Sequence, residues 1–182
     1  FTVSGSTPSA VLRSILRNGA GGQSGVAMAT TQANISQTVK PRGKSGCRYS
    51  SKAEITTRLP RLSKASRKHK AVRAVWRSFD KYIRAHEARH KSIYLSCARK
   101  IDKKARAHLR RKGCKNAKIE VTIIMLEERL RCNRLNRMFD KRERKRIARL
   151  PLIKQATRQA GGAVVFGSHS KKTSKRLAPN KN

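Results

Sequence analysis

The sequence predicts an α+β fold: a small antiparallel sheet with a short helix, followed by a long antiparallel helical hairpin that carries a metal site. Three observations predict it. β-leaning segments with partial alternation lie ahead of Pro60. Two long stretches with apolar residues at helical spacing follow, separated by Lys112-Gly113. The first of these contains His86-Glu87-Ala88-Arg89-His90, a pairing of residue types that suits metal chemistry.

The elements can be justified in chain order. Phe1 to Val3 reads as a short strand before the Ser4-Gly5 turn. Ser6 or Thr7 then offers an N-cap with Pro8 just inside, and Ala10, Val11, Ile15 and Leu16 form an apolar face that ends at Gly19. The glycine-rich run from Gly19 to Gly25 lacks the Lys-Ser/Thr of a phosphate loop and reads as a linker. Val26 to Thr31 and Asn34 to Val39 are β-leaning, Lys40 to Gly46 has turn composition, and Cys47 to Leu59 reads as a strand broken or bulged near Ser50-Ser51. A helix is expected from about Lys68 to Leu109 and a second from about Asn116 to Arg149, the latter with Ile119, Ile123, Leu126, Leu130 and Phe139 as its buried stripe. Pro151 stops or kinks it. Two helices joined by a short turn lie antiparallel. The segment from Gly161 is rich in Gly, Ser and Lys and reads as mobile, with a small strand conceivable at Ala163 to Phe166.

His86 and His90 are four apart and so stand on one helical face, two corners of a tetrahedral zinc site. Glu87 is one step round, where its carboxylate can reach a water on the metal as general base. The bland alternative is two solvated histidines with Glu87 pairing a neighbouring arginine. Context argues against it: Val72, Val75, Trp76, Phe79 and Ile83 lead up to the motif at helical spacing, and Ile93, Tyr94, Cys97 and Ile101 continue beyond. For Tyr82 and Tyr94 core packing is the first expectation, and stabilising a transition-state oxyanion is the functional alternative.

Zinc needs a third protein ligand, and the chain has nine acids to choose from. Asp80 and Asp102 share the motif helix and lie too far along its axis. With the hairpin turning near residue 113, His90 faces roughly residue 136. Asp140 is then within reach, Glu143 is marginal, and Glu127 or Glu128 needs a register shift. An ordinary Asp pairing with Lys or Arg at helix spacing is the alternative for Asp140. No Gly and His follow His90 at metzincin spacing, so a carboxylate from a later helix, as in gluzincins, is the better match.

Lys plus Arg number 46 against nine Asp plus Glu, for a formal charge of +37. That balance favours contact with polyanions such as nucleic acid, lipopolysaccharide or an anionic membrane. Aromatics are 4% of the chain, a poor basis for base-stacking platforms, and no nucleic-acid recognition motif is apparent. The cysteines, Cys47, Cys97, Cys114 and Cys132, form no CxxC pair, which argues against a zinc ribbon and leaves two disulfides or buried thiols. No stretch is long and apolar enough to span a bilayer. The first residue is Phe1, which suggests a mature product whose signal peptide has been removed.

Taken in order, these pieces resemble a family of predicted secreted bacterial zinc-dependent proteases, long classed as a domain of unknown function. The resemblance rests on Phe1-Thr2-Val3-Ser4-Gly5-Ser6-Thr7, on Gly46-Cys47 before a strand ending Leu59-Pro60, on Trp76 ahead of His86-Glu87-x-x-His90, and on Cys114 before a helix ending Phe139-Asp140. It covers about residues 1 to 155. The sequence departs from the family in its basic run Lys141 to Arg146, where many members have Thr-x-His-Gly, and in lacking tryptophan from Thr31 to Val39. The resemblance implies a periplasmic or secreted location, where disulfides can form, and a Cys47–Cys114 bridge. The expected organisation is a zincin-like metallopeptidase domain over residues 1-160 and a basic flexible tail over 161-182. Zn2+ would be held by His86, His90 and Asp140, with Glu87 as base and a peptide or protein as substrate. The rivals are a catalytically inactive relative and a basic nucleic-acid or polyanion-binding protein.

Overall fold

Local signals at the N-terminus are realised as helix capping and strand pairing. In the computed structural model, which describes residues 1–19, 21–22, 25–42 and 46–161, strand β1 (Thr2–Val3) leads into helix α1 (Pro8–Asn18). The Thr7 hydroxyl accepts from the Ala10 N–H at 3.2 Å, Pro8 occupies the first turn, and the Gly19 N–H closes the helix on the Ile15 carbonyl. Val11, Leu12 and Ile15 are buried on one face. Short strands β2 (Gly21–Gly22) and β3 (Gly25–Val26) pair antiparallel in the region expected as linker.

Strands β4 (Thr30–Arg42) and β5 (Gly46–Arg58) form a two-stranded antiparallel ribbon. Here the sequence reading needs two corrections. The first β-leaning segment is divided, with Val26 in β3 and only Thr30 and Thr31 at the start of β4, which continues through Asn34 to Val39. The ladder runs unbroken through Thr38↔Ser50 and Gln37↔Ser51, with no bulge. A ribbon packed on one face tolerates polar residues on its open face, so the serines do not interrupt pairing. Strand β6 (Arg61–Leu62) pairs in parallel with β1, which places the chain start beside Pro60.

After a 3-10 turn at Ser66–Lys68 comes the 43-residue helix α2 (Lys70–Lys112), ended by Gly113 at φ 69°. A side chain at that positive φ would be strained, which explains the glycine. Helix α3 (Ala117–Ala148) returns along it, and Pro151 opens helix α4 (Pro151–Gln159) instead of merely stopping α3. Proline suits a first turn because its missing N–H has no partner there in any case. Helix α4 packs against α1.

The expected buried stripe of α3 is also corrected. Ile119, Ile123, Leu126 and Leu130 are exposed, and Phe139 is half-buried. The inward face carries Ala117, Val121, Glu128, Cys132 and Asn136 instead. Small residues there let the helices approach, and Cys132 bonds to Cys97 on α2. A second bridge, Cys47–Cys114, ties the ribbon to the hairpin turn, as the resemblance implied.

Apolar packing falls into two clusters. The larger joins α1, α4 and the start of α2 around Val11, Ile15, Val72, Phe79, Ile83 and Ile153, and the smaller gathers Tyr49, Ala105, Leu109, Ala117 and Val121 near the hairpin turn. Between them, α2 buries His86, Glu87 and His90, together with the Cys97 half of the disulfide. Polar groups are costly to bury without partners, so this middle stretch calls for a chemical explanation. The residues expected as a tail, including the conceivable strand at 163–166, lie outside the described residues apart from Gly161.

Candidate metal centre

Three ligand-type atoms converge in that stretch. His86 Nε2 and His90 Nε2 are 3.1 Å apart, and Asp140 Oδ1 lies 3.2 Å from the first and 2.9 Å from the second. The helical repeat stacks the two imidazoles, and the hairpin register supplies the carboxylate from α3. The register expected from a turn near residue 113 is the one found, since Asn136 stands opposite His90. Phe139 stacks on His86 with ring centroids 4.7 Å apart and meets His90 edge-on at 5.1 Å. Its ring therefore packs both imidazoles in place.

The orientation of His90 is fixed by a residue the sequence reading did not single out. His90 Nδ1 lies 2.7 Å from Asn136 Oδ1, and Asn136 Nδ2 donates to the Cys132 carbonyl at 3.2 Å. With the Asn136 amide committed to that carbonyl, its oxygen faces the imidazole and accepts the Nδ1 proton. The Nε2 lone pair is thereby turned toward His86 and Asp140. The only prior signal was position: residue 136 lies four before Asp140 on the same face. His86 Nδ1, by contrast, is buried without a hydrogen-bond partner among the described residues.

Electrostatics follow from this crowding. Burial acts most strongly on Asp140 and raises its pKa, but hydrogen bonds and charge from His86 and His90 prevail and hold it at about 2. Burial likewise lowers the pKa of His90, yet its bonds to Asp140 and Asn136 and the charges of Asp140 and Glu87 leave it above the usual imidazole value. Asp140 is thus an anion between two imidazoles, and the three supply two ring nitrogens and one carboxylate oxygen.

Glu87 is buried, and its carboxylate is anchored from the ribbon. The Thr31 hydroxyl donates to Glu87 Oε2 at 2.7 Å and can itself accept from Thr57 at 3.1 Å. His86, Glu87, His90 and Asp140 all line a cleft of about 380 Å³, walled also by Ala27 to Gln32 and by Tyr94, Arg144 and Ile147. Burial, then the charges of Asp140 and Glu87, raise the Tyr94 pKa, so its phenol keeps its proton. A larger cleft of about 490 Å³ lies on the far side of Phe139, lined by Arg89, Ser96, Leu135 and Arg142 among others, but it gathers no comparable donor set.

The other acids stand apart from this group. The Tyr82 hydroxyl donates to Glu143, so Tyr82 and Glu143 form a pair outside the triad, and Glu128 meets Lys104 Nζ at 2.5 Å. Glu127 is exposed, while Asp80 and Asp102 bind Arg84 and Arg106 one turn along α2. Among the described residues, His86, His90 and Asp140 are the one group placed to share an ion.

A family model described as "Bacterial protein of unknown function (DUF922)" matches residues 1–146. No curated protein and no solved structure matches the chain.

Proposed function

We propose that this chain, which belongs to the DUF922 family of bacterial proteins, is a zinc-dependent metallopeptidase. The observation that carries the reading is the triangle of His86 Nε2, His90 Nε2 and Asp140 Oδ1, with edges of 2.9 to 3.2 Å. Tetrahedral zinc with ligand bonds of about 2.0–2.1 Å holds its donors about 3.3 Å apart, so the triangle needs to open only slightly. Two histidines and one carboxylate are also a donor set that leaves a fourth position for water or substrate.

Bound zinc would act as a Lewis acid on a carbonyl and make water easier to ionise. The protein's own groups do the rest. Glu87, steadied by Thr31, takes a proton from the attacking water and returns it to the leaving amine as the C–N bond breaks, which balances the hydrolysis. Tyr94, protonated and at the cleft wall, is placed to donate to the developing oxyanion. Within the described residues β4 has β5 as its partner strand, and its first residues Thr30–Gln32, with Ala27–Ala29 just before them, border the cleft. An extended peptide fits such an unpaired edge by main-chain hydrogen bonding. Two disulfides fit a periplasmic or secreted site of action, and no helix among the described residues is long and apolar enough to cross a membrane.

The test is digestion of a denatured protein mixture by zinc-loaded and zinc-stripped protein. New peptide termini should appear with the loaded form, disappear on chelation and return with added zinc. Equal yields from both forms would refute the proposal. Asn136 adds a finer expectation. Asn136→Leu keeps the volume but removes the acceptor for His90 Nδ1, so zinc affinity should fall about 10–100-fold, with Asn136→Asp restoring most of it. Unchanged affinity in Asn136→Leu, measured by competition with a chromogenic chelator, would remove Asn136 from this role.

A further inference from the structure

Ile119, Ile123, Leu126 and Leu130 succeed one another at steps of four, three and four residues along α3, and they are 64, 50, 51 and 70% exposed. Such spacing aligns them on one helical face over about 16 Å. The opposite face of α3, with Val121, Glu128, Cys132 and Asn136, packs against α2, so the stripe is no part of the core. Exposed aliphatic residues in a contiguous row mark a contact surface. Continuing along the same line, Arg137, Lys141 and Arg144 are all exposed. One outward face is therefore aliphatic in its first half and cationic in its second.

We infer that this face of α3 docks on an anionic lipid bilayer, its aliphatic half entering the acyl boundary and its cationic half lying on headgroup phosphates. Charge complementarity selects the occupant. A second copy would bring another chain of formal charge +37 against the cationic half. Nucleic acid would use the cations but gain nothing from four aliphatic side chains. A planar anionic interface accepts a helix lying flat with both kinds of residue engaged. Because Arg144 also borders the metal cleft, docking would hold that cleft next to the bilayer. The inference does not depend on which metal, if any, the centre binds.

The experiment is co-sedimentation of the full chain with vesicles of mixed phosphatidylglycerol and phosphatidylcholine, at low and at high salt. Wild type should keep part of its binding at high salt, and the variant Ile119→Gln, Ile123→Gln, Leu126→Gln, Leu130→Gln should bind about tenfold or more weakly. The variant should melt as wild type does and bind DNA equally, because the replaced residues are exposed. If the fourfold variant does not fold, Leu126→Trp serves instead. Its fluorescence should be quenched by bromine-labelled acyl chains, with Trp76, packed against the larger core, as an internal reference. Equal vesicle binding by wild type and stripe variant overturns the inference, as does an unquenched Leu126→Trp. So does a wild-type dimer that the stripe variant dissolves, since that would assign the face to a second copy.

Discussion

Glu87→Gln should lower kcat/KM for peptide hydrolysis by about 10²–10⁴-fold while zinc content stays at the wild-type level. The reason is geometric. Glu87 is outside the triangle of ligand atoms but lines the same cleft, and its Oε2 accepts from Thr31 at 2.7 Å. Glutamine has the same shape and can still accept that bond, so the fold and the metal site should survive. What it cannot do is carry a proton from water to the leaving amine. Parallel measurement of kcat/KM and bound zinc separates the two effects. A variant as active as wild type would remove Glu87 from catalysis, and a variant that loses zinc would show that Glu87 helps to hold the metal.

Replacing both Cys97 and Cys132 by alanine should destabilise the protein by about 4 kcal/mol, the loop-closure effect expected for a bridge between residues 35 apart. The consequence should reach the metal centre. Asn136 donates to the Cys132 carbonyl and accepts from His90, and Asp140 follows one turn later on the same helix. Loosening α3 from α2 at Cys132 thus relaxes two of the residues that shape the site. Urea unfolding of wild type and double variant gives the stability difference, and chelator competition gives the change in zinc affinity. A loss below about 1 kcal/mol would mean that packing alone sets the hairpin register.

How far the sequence discloses these features depends on whether the signal is local. Thr7, Pro8 and Gly19 bound α1 through capping chemistry that involves only near neighbours, and α1 is found where they place it. Lys112-Gly113 marks the hairpin turn for the same reason, and the turn sets the register that brings Asp140 to His86 and His90. The apolar pattern of α3 misleads because its largest aliphatic residues lie on the outward face, while the inward face mixes small apolar residues with Glu128 and Asn136. Ile119, Ile123, Leu126 and Leu130 are the larger residues, so periodicity selects them, but the face with Cys132 turns inward. That choice is made by a partner in α2, and periodicity within α3 carries no information about it. Asn136 is hidden for a related reason: nothing local distinguishes it from Asn133 in a basic helix until His90 is seen beside it. The unbroken β4–β5 ladder is likewise a property of a pair of strands, and Ser50-Ser51 read alone suggests a break.

Zinc stoichiometry tests the central claim most directly. Protein purified without a metal-affinity step, stripped with chelator, reconstituted with zinc and freed of excess should retain about one zinc per chain by elemental analysis. His86→Ala should retain far less, because two remaining ligands hold the ion much more weakly. Wild-type protein that holds no zinc after reconstitution, or a His86→Ala variant that holds as much as wild type, would contradict the account.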